Sequence, residues 1–293
     1  MIAETQGVSA TADQPTTTDG RERRDWWVAA LRREGAAFAT AAQAADPDDD
    51  VPTCPGWTVR RLVAHVGRVH RTATAGVLDG TVEPPALAAR PPADDSKMLG
   101  WYTEGLEKLL QVFTDAEPHL DDFWPRRMAH DTTVHRFDAE LAAYTKAGGF
   151  DAALAADGVG EVVESMLQLR AGDEPLASAR GDVLVECTDT GDVWLVSLEP
   201  GRVTATRPER RPRRMDARIA GPAADLYLVL WGRLPLDPAE PGRTRRRQVE
   251  VTGDRALAEL VRTGLAGRPF GSPCRAPVRL APCRGRSAQC PGR

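Results

Sequence analysis

The sequence predicts a helical domain followed by an α+β domain, specifically a four-helix bundle and then a small mixed sheet with helices. Three observations carry that expectation. From Asp25 to Leu169 apolar residues recur every three to four positions, after about residue 180 the period falls to two, and Pro-rich or acidic connections separate the periodic runs. The expected divisions are a leader over 1–20, the bundle over 21–172, the α+β domain over 180–267 and a tail over 268–293.

The leader, MIAETQGVSATADQPTTTDG, has almost no large apolar side chain, so burial cannot offset its ordering entropy and disorder is expected. Helix one begins near Asp25 and places Trp27, Leu31 and Phe38 close to one face before the acidic loop Asp46 to Pro52. In CPGWTVRRLVAHVGRVHR, Pro55 and Gly56 make a turn and Thr58 is a cap for helix two, whose stripe is Leu62, Val66 and Val69, with Gly80 as its stop. A Pro-rich crossing loop, Pro84 to Pro92, leads to helix three, with Leu99, Leu106, Leu109, Leu110 and Phe113 in register and Pro118 at its close. Helix four follows Trp124 and Pro125, with Met128, Val134, Phe137 and Leu141 as its apolar members, and a shorter helix is expected over Val159 to Leu169. Bundles of this kind build metal sites from side chains on facing helices.

Past residue 180, DVLVECTD, DVWLVSL and RVTATR alternate at period two around Thr190-Gly191 and Pro200-Gly201 turns, which predicts an antiparallel meander. A further strand near Asp216 to Ala220, a helix from Ala223 to Trp231, and the pair RQVEVTG and DRALAELVRTG complete an α+β unit. The tail from Arg268 is rich in Arg, Pro and Cys and has no period, so it is expected to be disordered.

Composition narrows the function. A formal net charge of -4 spread over 293 residues offers no basic face for nucleic acid. No apolar run approaches the roughly 20 residues of a membrane helix, and the first residues show no secretory pattern, so a cytoplasmic protein that engages no membrane is expected. Five cysteines, Cys54, Cys187, Cys274, Cys283 and Cys290, lack zinc-knuckle spacing and argue against a disulfide framework; Cys54 has no basic partner in sequence and is expected to be a small buried residue.

The polar residues of helix four are the chemical signal. In MAHDTTVHRFDAE, Asp131 and His135 are four apart and Asp138 lies seven from Asp131, so all three share a face, while His130 points about 100° away. Two readings stay open for Asp131 and His135, a solvated pair on the outer face or two ligands gripping one ion. His65 falls within the inward stripe of helix two, either as a satisfied core histidine or as a third ligand. Two imidazoles and one carboxylate with an open position suit a divalent metal, zinc first, with nickel, manganese or iron also compatible. His70 and His119 are expected to be exposed.

PTCPGWTVRRLVAHVGRVHR, RRMAHDTTVHRFDAE and LYLVLWGR, in that order, resemble the maleylpyruvate isomerase family of mycothiol-dependent enzymes over roughly Asp25 to Gly264. The resemblance implies a DinB-like metal-binding bundle, a sterol-carrier-like C-terminal domain closing over the metal, and His65, Asp131 and His135 as ligands. Asp131 departs from the family pattern, which has Glu, one methylene longer. The resemblance also implies mycothiol as cosubstrate, a small electron-poor substrate, and a second-domain arginine on the substrate carboxylate. Arg233 is the candidate for that contact, and a structural arginine at a helix end is the alternative. Asp138 is then a candidate to orient a ligand imidazole.

The expected function is a divalent-metal-dependent isomerase or thiol S-transferase. A non-enzymatic small-ligand binder with a structural or vestigial metal is the alternative. A metal-dependent hydrolase is the third reading, with His130, Asp138 and Glu140 as its only nominees for a base.

Overall fold

In the computed structural model, residues 20–82, 89–115, 123–144, 146–236 and 249–264 are described, so the expected leader (apart from Gly20), the tail, Pro118 and His119 lie outside the described residues. The first part is helical: α1 (Gly20–Ala44), α2 (Val59–Leu78), α3 (Met98–Asp115) and α4 (Phe123–Ala143). Helix α1 starts ahead of the expected Asp25. Its core face is Trp27, Leu31 and Phe38, with Phe38 packed against Tyr102 of α3 at 4.8 Å between ring centroids.

Helix α2 begins as its sequence requires. Gly56 turns the chain with φ +78°, and the Thr58 side chain accepts a hydrogen bond from Arg61 N, one of the amides that a helix start leaves without a partner. The loop ahead of it is tied back by Val51 and Val59 amides donating to Trp57 and Asp49 carbonyls. That brings Thr53, Cys54 and Trp57 over the N-terminal half of α2, where His65 lies.

Helix α4 is polar in sequence yet buried from Trp124 to Arg136 except at Arg126, because α1 and α2 cover one side and the second core covers the other. Pro125 sits in its first turn, where the missing N–H has no intrahelical acceptor to disappoint. Buried charges on α4 are paired across the bundle, as with Arg136 Nε to Glu34 of α1 at 2.6 Å.

The fifth helix, α5 (Ala152–Glu161), starts at Ala152 rather than at the expected Val159, capped by the Asp151 side chain accepting from Leu154 N. Its run of Ala and Gly hid the period from sequence. A π-helical turn, Val162–Met166, and α6 (Leu167–Leu169) continue it. Val159, Val162, Val163 and Leu167 join the core of the sheet domain.

Strands β1 (Gly181–Cys187), β2 (Val193–Glu199) and β3 (Arg202–Thr206) form the expected antiparallel meander, turning at Gly191 and Gly201, both at positive φ. Strand β4 (Ala217–Gly221) pairs parallel to β1, and β5 (Glu250–Gly253) pairs antiparallel to β4, giving the order β3-β2-β1-β4-β5. Trp194, Val196 and Leu198 alternate inward on β2, and α7 (Ala223–Leu230) and α8 (Arg255–Thr263) cover the sheet. Among the described residues, no helix is long and apolar enough to cross a membrane.

Candidate metal centre

His65 of α2 and Asp131 and His135 of α4 meet inside the bundle, each buried, with one ligand atom from each lying within 4.8 Å of the other two. The outward-facing ion pair held open for Asp131 and His135 is therefore ruled out: α4 turns both into the interior. His135 Nε2 stands 3.9 Å from Asp131 Oδ2, so the shorter acid reaches the cluster.

Two ligand atoms have no hydrogen-bond partner among the described residues. His65 Nε2 and Asp131 Oδ2 are buried and make no hydrogen bond, an arrangement that costs free energy unless something else satisfies them. Nitrogen and carboxylate bonds to zinc run about 2.0 to 2.2 Å, so a contraction of about 1 Å across the cluster closes the set round one ion. The donor set of two imidazoles and a carboxylate fits a divalent cation.

Electrostatics agree with that fit. Burial, with the neighbouring His135, depresses His65 from the usual 6.5 to about 3, so its imidazole is neutral and its lone pair available. Burial alone would raise the Asp131 carboxyl, but His135 and Arg127 outweigh it and hold the group below the usual carboxylate range. Asp131 Oδ1 accepts from Arg127 Nη2 at 3.0 Å, and Arg127 Nη1 donates to Glu161 Oε2 at 2.6 Å. That buried chain has two carboxylates to one guanidinium.

His135 is oriented from behind. Its Nδ1 lies 2.9 Å from Asp138 Oδ2, and an ionised carboxylate only accepts, so Nδ1 carries a proton and Nε2 is the ring nitrogen turned to the cluster. Asp138 is fully buried and is held ionised, well below the usual carboxylate range: burial opposes this, and Arg233 overcomes it. Arg233 reaches it from the sheet domain with Nε to Oδ1 at 3.0 Å and Nη2 to Oδ2 at 2.6 Å, while Nη1 donates to Trp231 O at 2.8 Å. Thr53 Oγ1 adds a 2.6 Å hydrogen bond to Oδ1. Arg233 thus stands behind His135, with most of its fork committed to Asp138.

Several participants were not singled out from sequence. Trp57 packs its ring edge against His65 at 5.0 Å and parallel to His135 at 6.5 Å, with the Arg61 guanidinium 4.9 Å beyond it. Thr53 and Trp57 belong to PTCPGW, whose nearness to the His65 helix was the available signal. Arg127 and Glu161 carried none, because their pairing spans two domains. Cys54 is buried as expected and is disulfide-bonded, with Sγ 3.6 Å from Asp138 Oδ2.

The other two described histidines, His70 and His130, are held by partners outside the cluster. His70, expected at the surface, is fully buried because α2 is covered by both α3 and α4; its Nε2 lies 2.9 Å from Thr132 Oγ1. His130 turns to Asp157 of α5, Nε2 to Oδ2 at 2.8 Å, and Glu140 is engaged by Arg136 at 2.8 Å.

Residues 28–140 match the family model described as the mycothiol maleylpyruvate isomerase N-terminal domain, and residues 153–260 match its C-terminal domain. Among solved structures, the chain is similar to a histidine-to-alanine mutant of the mycothiol-dependent maleylpyruvate isomerase, at 10% identity and a TM-score of 0.50, over 79% of this chain and 99% of that one. A second structure of the mycothiol-dependent maleylpyruvate isomerase aligns at 11% identity and a TM-score of 0.49, over 80% of this chain and 96% of that one. At such identity the first likeness shows a shared fold. Among curated proteins, none matches the chain.

Proposed function

The chain belongs to the mycothiol maleylpyruvate isomerase family, and from that membership we propose that it is a divalent-metal-dependent enzyme that uses mycothiol to isomerise, or to transfer sulfur onto, a small electron-poor acid. The observation that carries the reading is the buried cluster of His65, Asp131 and His135, with two ligand atoms that no group among the described residues satisfies. His65 Nε2, His135 Nε2 and Asp131 Oδ2 would hold zinc, or nickel, manganese or iron. Such an ion, when bound, supplies the positive charge that keeps an incoming thiol as thiolate near neutral pH.

The chain's own residues supply the rest. Asp138 keeps the proton on His135 Nδ1 and so keeps Nε2 basic. Arg233 holds Asp138 ionised, and its remaining Nη1 hydrogen is the candidate donor to a substrate carboxylate. Trp57 walls the cluster and limits water around the two imidazoles. In the isomerisation, the thiol sulfur adds to one carbon of a cis double bond, the resulting single bond rotates, and the sulfur leaves as the trans double bond reforms. Thiol and proton are both returned, so no other reactant is needed. S-transfer is the same addition without the departure.

No observation favours the hydrolase reading: Asp138 and Glu140 are ion-paired with Arg233 and Arg136, and His130 turns to Asp157 of α5, away from the three ligands. A non-enzymatic binder with a structural metal would use the same three ligands, and it is separated from the enzyme by the thiol dependence tested below.

The test is a cis-diacid such as maleylpyruvate incubated with zinc-loaded protein, with and without mycothiol. Isomerisation or adduct formation that needs both thiol and metal is expected. Turnover without thiol, or turnover that survives chelation, would overturn the proposal.

A further inference from the structure

Arg127 stands one turn before Asp131 on α4 and is almost wholly buried, with its guanidinium 4.5 Å from the Trp231 ring centroid. Its two terminal nitrogens go to different carboxylates: Nη2 to Asp131 Oδ1 and Nη1 to Glu161 Oε2. Glu161 ends α5 and Trp231 caps α7, two helices of the sheet-domain core, so the grip on Asp131 originates across the domain boundary. Arg126, one residue earlier, makes a comparable network with Asp157 and Glu164 that touches none of His65, Asp131 and His135.

An aspartate with both oxygens free can chelate an ion through both or swing between them. Here Oδ1 is taken and Oδ2 alone is free, facing the two imidazoles. We propose that Arg127 is a positioning residue for Asp131, presenting a single carboxylate oxygen to the metal, and that Glu161 and Trp231 lock Arg127 so that the second domain sets the geometry of a first-domain ligand. The inference rests on the metal-centre reading above. It also gives the short acid its means of serving: the guanidinium fork fixes the carboxylate where a longer, flexible side chain would otherwise be needed.

Zinc affinity by chelator competition, read beside thermal unfolding of the metal-free protein, tests it. Arg127→Lys keeps the charge and loses the fork, since one ammonium cannot span both carboxylates. Zinc binding is expected to weaken about 10- to 100-fold, and the cobalt-substituted visible spectrum to shift with the changed carboxylate. Arg126→Lys, the control, is expected to lower the unfolding temperature while keeping wild-type affinity. Where Arg127→Lys fails to fold, the double variant Arg127→Met with Glu161→Gln removes the fork and one of its buried carboxylates together, and the same loss of affinity is expected. Affinity within twofold of wild type in either folded variant overturns the inference alone. A wild-type protein that binds no zinc overturns both this inference and the reading it rests on.

Discussion

Asp138 and Arg233, 95 residues apart in sequence, form a two-point buried ion pair, Nε to Oδ1 at 3.0 Å and Nη2 to Oδ2 at 2.6 Å. The same carboxylate orients His135, so one side chain of α4 fastens the sheet domain to the helical one and aims a ligand imidazole.

Asp138→Asn is expected to fail on both counts. Breaking a buried pair by removing one charge leaves Arg233 uncompensated, at about 3 to 5 kcal/mol. The amide also releases His135, and zinc affinity is expected to fall about 10- to 100-fold. Urea unfolding of the metal-free protein and chelator competition measure the two losses; a stable variant with unchanged affinity would show that the pair does neither job.

His65→Leu separates the site from the core. Its Nε2 has no hydrogen-bond partner among the described residues, and an unsatisfied buried polar atom costs about 1 to 3 kcal/mol. The variant is expected to lose stoichiometric metal while the metal-free protein unfolds at the same temperature or higher. A marked drop in that temperature would mean the imidazole serves the fold rather than an ion.

The histidines also set an acid limb. Burial depresses His65 to about 3 and His70 to about 4, against 6.5 for an unfolded imidazole. The unfolded chain therefore binds these protons first. Stability of the metal-free protein is expected to fall as pH drops from about 6.5 toward 4, by up to about 1.4 kcal/mol per pH unit for each imidazole. His70→Leu should shallow that slope in denaturant titrations across this window, and an unchanged slope would contradict the buried neutral state of His70.

Gly158 tests the packing of α5 against α7 and His130 without touching the metal ligands. A Cβ there would overlap the Tyr227 ring and come within 2.9 Å of His130 Nδ1, where Tyr227 Oη also donates to His130 O. Gly158→Ala is expected to destabilise by about 1 to 3 kcal/mol through overpacking, with zinc affinity unchanged. Neutral stability would mean that α5 and α7 have slack that the packing does not show.

What was legible followed from period and spacing. The Pro55-Gly56 turn, the Thr58 cap and the Leu62 stripe placed α2 and pointed His65 inward, and the i, i+4 spacing put Asp131 and His135 on one face. Which face was inward was not legible, because α4 is wrapped on both sides and its polar residues are satisfied by groups far away in the chain, Glu34, Asp157, Glu161 and Arg233. Local pattern has no access to such partners. The same limit sets His70 at the surface and starts α5 late, since a run of Ala and Gly, with Gly158 packed closely against Tyr227, leaves no apolar period to read.

Metal content tests the central claim most directly. Wild-type protein loaded with zinc and freed of excess metal is predicted to retain one ion per chain by elemental analysis, and Asp131→Asn, with its ligand oxygen no longer anionic, to retain substantially less. A wild-type protein that retains no ion after zinc, nickel, manganese and iron have each been supplied, or an Asp131→Asn protein that holds zinc as well as the wild type, would contradict the assignment of His65, Asp131 and His135 as a metal centre.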